Sequence, residues 1–186
     1  MRNWTIILML LGASGVFAAE LGKEKQTSVQ EFKENTFGPK ALIPTTGGAL
    51  FGQMINKPDE WGRGVAGFGK RFASGYATLV VKNSIAYPLG AALHEELQYR
   101  KSTSTHFGPR LGHALLSTVW TQKTTTGVGT VAIGNISGTV GASLISRAWQ
   151  PASNRTWSSG FASAGGSFGG QAALNVIREF WPKKKH

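Results

Sequence analysis

The chain has 186 residues, no cysteine, and a formal net charge of +11 at pH 7 from 20 Lys and Arg against 9 Asp and Glu. The missing cysteines exclude disulfides, thiol nucleophiles and thiolate metal sites together. The basic balance directs any charged partner towards anionic surfaces such as lipid headgroups or acidic glycans.

From the N-terminus, Arg2, the apolar run Trp4 to Leu11 and the small-residue pattern Val16-Phe17-Ala18 read as a secretory signal cleaved after Ala18. That core is too short to span a bilayer in the usual way. The expectation is therefore residues 1–18 as a signal peptide, with the protein exported to the periplasm or outer-membrane-associated in a bacterium. Export makes nucleic acid the poorest fit among anionic partners.

Residues 19–55 are expected to form an irregular arm, because Gly38-Pro39, Pro44 and Gly47-Gly48 punctuate them. A domain is expected over 56–182, with 183–186 as a basic tail. Asn56, Pro58, Asp59 and Glu60 resemble the opening of a helix. Gly62, Ala66, Gly69, Ala73 and Ala77 then recur at helical spacing beside Trp61, Val65, Phe68, Phe72 and Tyr76. Pro88 bends or ends this helix. Arg100 to Thr105 reads as a loop, and Pro109 opens a helix through Leu111, Leu115 and Trp120.

Two further small-residue stripes follow: Gly134, Gly138 and Gly141 (with Gly127 before them), then Ala162, Gly166, Gly169 and Ala173. Small residues on one side of a helix let backbones approach closely, so these positions are expected to pack helix on helix. Thr124 to Ser146 and Thr156 to Ile177 carry no charge over 23 and 22 residues, yet both are crowded with Gly, Ser, Thr, Asn and Gln. Few of their positions are strongly apolar, which argues against independent membrane-spanning helices. The expected fold is all-α, a compact bundle of about four to six Gly/Ala-striped helices, with a small Gly-rich β-barrel as the alternative for this composition.

Chemistry-bearing residues are sparse. His94 and Glu95 with His113 are the weak catalytic candidates, since a His beside carboxylates can act in acid–base chemistry or ligate a metal. Position 98 is Gln, so a zinc pair at i and i+4 is missing; no metal and no cofactor is expected. Arg100, Arg110 and His113 can form an anion patch, or an internal ion-pair network that orients two helices. No G-x-S-x-G elbow and no complete phosphate loop occurs.

The run Trp61-Gly62-Arg63-Gly64-Val65-Ala66-Gly67-Phe68-Gly69-Lys70-Arg71-Phe72, with Leu93-His94-Glu95, Tyr99-Arg100, Pro109-Arg110, His113-Ala114-Leu115 and Asn175 to Pro182, resembles uncharacterised exported proteins of acidobacterial type. The likeness covers roughly residues 55 to 182. It implies an envelope location and one domain, and no activity comes with it.

These readings converge on a non-enzymatic exported envelope protein, a structural or adaptor subunit meeting a membrane surface or membrane complex, and able to oligomerise. Two alternatives belong to other classes. One is a soluble periplasmic metal-dependent or hydrolytic enzyme centred on His94, Glu95, Arg110 and His113. The other is a basic module binding acidic lipid or glycan.

Overall fold

A computed structural model of the chain describes residues 26–182; the expected signal peptide and basic tail lie outside the described residues. Helix α1 covers 26–37. It is followed by α2 (Pro39–Met54), a 3-10 turn (Asp59–Trp61), α3 (Val65–Ala92), α4 (Phe107–Leu116), strands β1 (Trp120–Gln122) and β2 (Gly129–Val131), α5 (Ile133–Ser146), a second 3-10 turn (Ala152–Asn154) and α6 (Trp157–Phe180). The fold is an all-α bundle with one small antiparallel hairpin, in which Trp120 faces Val131 and Gln122 faces Gly129.

At 28 residues, α3 is about 42 Å long at 1.5 Å per residue and forms the axis of the bundle. The α1–α2 rod runs antiparallel to it. Asn35 Nδ2 donates to the Tyr87 hydroxyl at 2.8 Å, Tyr76 donates to the Thr36 carbonyl, and Gly52 lies against Arg71. On another side α5 is also antiparallel to α3, α6 reverses along α5, and α4 reverses along α6.

The N-terminal segment corrects the sequence expectation, because 26–54 is helical rather than an irregular arm. Pro39 occupies the first helical turn, where its missing N–H removes no bond. Pro44 is internal, and Gly47 and Gly48 face open space, so the local propensity of α2 is poor. Ala41, Thr45 and Ala49 recur every four residues and are buried against α3, which supplies what propensity lacks. Gly38 marks the break from α1, since a Cβ there would stand 2.4 Å from the Glu34 carbonyl oxygen.

The start of the central helix also differs. Asn56 does not cap it: Asn56 has a φ of 52°, Lys57–Pro58 is cis, Gly62 and Gly64 have φ of 67° and 103°, and α3 opens only at Val65. Pro88 lies within α3, which continues to Ala92. The Thr124–Ser146 stretch divides between a turn and strand to Val131 and a helix from Ile133, so Gly127 (φ 68°) serves the hairpin turn and not a helix stripe.

The interior is built from small and polar groups. Among the described residues the buried apolar side chains are seven alanines and Tyr87, and the largest fully buried side chains are Glu179, Thr36, Thr139 and Ser143. Apart from Ser143 Oγ, the buried side-chain polar atoms described all have hydrogen-bond partners, as a stable polar interior requires. Large apolar residues lie outside: Ile43 is 68%, Phe51 62%, Met54 77% and Val65 90% exposed. No helix among the described residues is long and apolar enough to cross a membrane.

The three glycine stripes separate here. A Cβ on Gly134 would meet the Gly90 backbone at 3.0 Å, and one on Gly138 the Lys82 carbonyl oxygen at 2.7 Å; Gly141 approaches Ile85. That stripe is the helix–helix seam of α5 on α3. Among the described residues the other two are not seams. Gly62, Gly69, Gly166 and Gly169 have open space where a Cβ would stand, and Ala66 and Ala73 are exposed. The buried side of α3 is instead Gly67, Arg71, Ser74, Asn83, Ala86, Tyr87 and Gly90. Gly138→Ala should therefore cost about 2 kcal/mol or more by forcing two backbones apart. Gly166→Ala and Gly169→Ala should each gain up to about 1 kcal/mol from helix propensity. Urea unfolding midpoints of the three variants check this, and equal signs would contradict the assignment of the seam.

Candidate functional site

The residues singled out in the sequence gather at the end of the bundle where α3 and α6 finish. The C-terminus of α3 closes with two reversed bonds: His94 N–H donates to the Ala91 carbonyl and Glu95 N–H to the Gly90 carbonyl. This is the Schellman pattern, with His94 in the left-handed position at φ 53°. The turn throws the Glu95 side chain inward, where it is 5% exposed.

Glu95 is the anchor of another helix. Its Oε1 accepts from Ile133 N–H at 3.1 Å and its Oε2 from Gly134 N–H at 2.8 Å, so one carboxylate satisfies two of the free amides that open α5. Negative charge at that end also complements the helix dipole. The backbone on either side is tied to the hairpin, with Glu96 N–H donating to the Gln122 carbonyl and Lys123 Nζ to the Leu93 carbonyl. Glu95→Ala should lower stability by about 2 kcal/mol, combining a lost cap with two buried amides left unpaired. Denaturant titration reads this directly, and an unchanged midpoint would return Glu95 to the catalytic candidates.

Arg100, Arg110 and His113, the residues of the expected anion patch, each have a partner within the fold. Arg100 pairs with Glu96 four residues earlier. His113 Nε2 lies 2.9 Å from the Arg100 carbonyl, and its ring stands 5.8 Å from that of Tyr99. Arg110 Nε donates to Glu179 Oε1 at 2.8 Å, while its Nη2 donates to the Glu179 carbonyl at 2.6 Å. The internal-network alternative describes these three residues.

At the centre stands Glu179, which the sequence reading did not select. Its side chain is fully buried. Besides Arg110, its Oε2 accepts from the Tyr99 hydroxyl at 2.7 Å and from Ser102 N–H at 3.0 Å. Burial alone disfavours ionisation, but the bonds from Tyr99, Arg110 and Ser102 outweigh it and hold the carboxyl down at about 2. The same burial, and then the bond to Glu179, push the Tyr99 phenol well above its usual range. One signal in the sequence pointed here. Beyond Glu96, Glu179 is the only acid in the rest of the chain, against ten Lys and Arg.

Catalytic or metal roles find no assembled set in this arrangement. His94 stands at a helix-terminating turn, His113 bonds a backbone carbonyl, and among the described residues no group of three His, Cys, Asp or Glu could hold a metal ion. Burial, then the like charge of Arg178, lowers the Lys82 ammonium to about 8. Lys82 lines neither of two shallow surface clefts. One of these, about 420 Å³, lies between Trp61 and Trp149 over Ala73 and Ala77. The other, about 480 Å³, opens at the Glu179 end beside Lys101, Ser104, Arg110 and Trp181.

No family model, no curated protein and no solved structure matches the chain.

Proposed function

We propose that this protein is a non-enzymatic structural or adaptor subunit of a bacterial cell envelope, exported and held against a membrane or a membrane complex. One observation carries the reading: the bundle is packed on alanine, glycine and polar groups, while its large apolar side chains face outward. Large apolar side chains grouped on an exposed helix face mark an interaction site.

The outward residues are not scattered. On α2, Ile43, Leu50, Phe51 and Met54 share the side turned away from α3, and on α6 Phe161 and Ile177 flank a bare Gly/Ala stripe. Smooth small-residue stripes beside large apolar groups suit close apposition of a partner helix or of acyl chains. Net positive charge adds attraction to anionic lipid. Weighing against the enzyme alternative, Glu95 caps α5, Arg110 pairs with Glu179 and His113 bonds the Arg100 carbonyl.

Fractionation of cells producing the full chain tests the proposal. The protein is expected in the membrane fraction, with Phe51→Ser and Met54→Ser together raising the soluble share. Recovery of the unmodified protein entirely in the soluble periplasm would overturn it.

A further inference from the structure

The cleft at the C-terminal end of α6 is lined by two cationic side chains, Lys101 and Arg110, and by the hydroxyls of Ser102, Ser104 and Thr105. Its only carboxylate, Glu179, already accepts from Tyr99, Ser102 and Arg110. The negative end of α6 is likewise occupied, since Lys101 Nζ donates to the Trp181 carbonyl at 2.8 Å and Arg110 to that of Glu179. Lys101 keeps two further N–H groups, and Arg110, bonded through Nε and Nη2, keeps those of Nη1. The hydroxyls of Ser102 and Ser104 accept from the backbone N–H groups of Ser104 and His106, which leaves their own protons to donate.

Cations and hydroxyl donors around a cavity of about 480 Å³ make a site for a tetrahedral oxyanion. The rim supplies the second half of the argument. Trp181 and Phe107, each 68% exposed, stand at the same end as Arg110. Phe107 is braced on Phe180, whose ring lies 4.7 Å beneath the Arg110 guanidinium. An anion cleft with exposed aromatic rings beside it has the composition of a membrane interface: rings at headgroup depth, cations on the phosphates.

We infer that this cleft binds the phosphate of an anionic phospholipid headgroup, through Lys101, Ser104 and Arg110, with Trp181 and Phe107 seated in the interface. This inference rests on the membrane association proposed above and names the lipid contact that serves it.

Sedimentation with phosphatidylglycerol vesicles, compared with phosphatidylcholine vesicles, separates the two ideas. Lys101→Gln should weaken binding to the anionic vesicles by about tenfold or more. Lys70→Gln, near the opposite end of α3, should weaken it by at most the roughly fivefold due to one surface charge. Ser104→Ala changes no charge, so a diffuse electrostatic film would leave it unaffected, whereas a seated phosphate predicts a loss of about threefold or more.

Each other outcome has a distinct meaning. Failure of the unmodified protein to bind anionic vesicles would overturn the membrane reading and this inference with it. Binding in which Lys101→Gln matches Lys70→Gln, with Ser104→Ala unchanged, would overturn the cleft alone. Titration with inorganic phosphate in the absence of vesicles distinguishes the source. Tight phosphate binding lost in Lys101→Gln, with vesicle affinity intact, would overturn the lipid assignment.

Discussion

Glu179→Gln should be among the two most damaging single substitutions, lowering stability by about 3 kcal/mol or more. Removing one partner of a buried ion pair costs about that much, because the remaining groups lose their counter-charge while still shielded from water. Here the loss is compounded. A glutamine amide would turn two N–H groups into a space where Tyr99, Ser102 and Arg110 already donate. For a domain of this size the thermal midpoint should fall by roughly 10 °C, read by circular dichroism at 222 nm. A fall equivalent to less than about 1 kcal/mol would show that the network contributes little.

The same network predicts a pH profile with two limbs. Glu179 has a folded-state value of about 2 against an ordinary 4.5. Its contribution is therefore complete above pH 4.5 and is lost as pH falls from there towards 2. Tyr99 is displaced upward, so its contribution is complete below its ordinary value of 10 and is lost as pH rises beyond that. In Glu179→Gln the acid limb attributable to this group should vanish, and Tyr99→Phe should remove the alkaline one. Stability measured at pH 3, 7 and 10.5 in the three proteins tests both signs.

Arg71→Met should be comparably severe, costing about 3 to 5 kcal/mol. Arg71 is 5% exposed, and none of its hydrogen-bond partners is a carboxylate. Its guanidinium bonds the carbonyls of Lys57, Pro58 and Gly62 at 2.8 Å each, Gln53 Oε1 at 2.6 Å and Asn56 Oδ1 at 3.4 Å. A methionine would fill the volume but leave the Lys57 and Gly62 carbonyls without a donor, each costing about 1 to 3 kcal/mol, and the Pro58 carbonyl with only the 3.4 Å bond from Trp61 N–H. Replacement of a buried charge by an apolar group is often harmless where the partners can also be replaced. Backbone carbonyls cannot. Arg71→Lys should recover less than half of the loss, since one ammonium cannot span the planar fan of acceptors. Urea unfolding gives the magnitude, and proteolysis should begin between residues 55 and 64. A loss below about 1 kcal/mol would mean that the loop finds other donors.

Arg71 also explains why the α2–α3 connection escaped a local reading. Asn56, Pro58, Asp59 and Glu60 form a good helix-start signal by residue type, but the segment is held in another shape by an arginine fourteen residues further on. Gly67 belongs to the same device, because a Cβ there would stand 2.3 Å from the Gly62 carbonyl oxygen. In the opposite direction, α2 looks too interrupted for a helix until α3 lies beneath Ala41, Thr45 and Ala49. Local propensity is worth fractions of a kcal/mol per residue, and long-range contacts of several kcal/mol override it.

The all-α class, the loop over 100–105 and a helix near Pro109 were legible from residue order, because spacing and composition are local properties, although that helix ends at Leu116 and Trp120 begins β1 instead of extending it. Three small-residue stripes were legible as well. Which stripe would be covered was not: Gly134 and Gly138 meet the backbone of α3, while Gly166 and Gly169 meet nothing among the described residues. Nor did residue order indicate that Arg110, rather than any of nine other cations, would reach Glu179. A helix face is defined by its own periodicity, but burial and ion pairing belong to two surfaces at once, and the second surface exists only when the chain has folded.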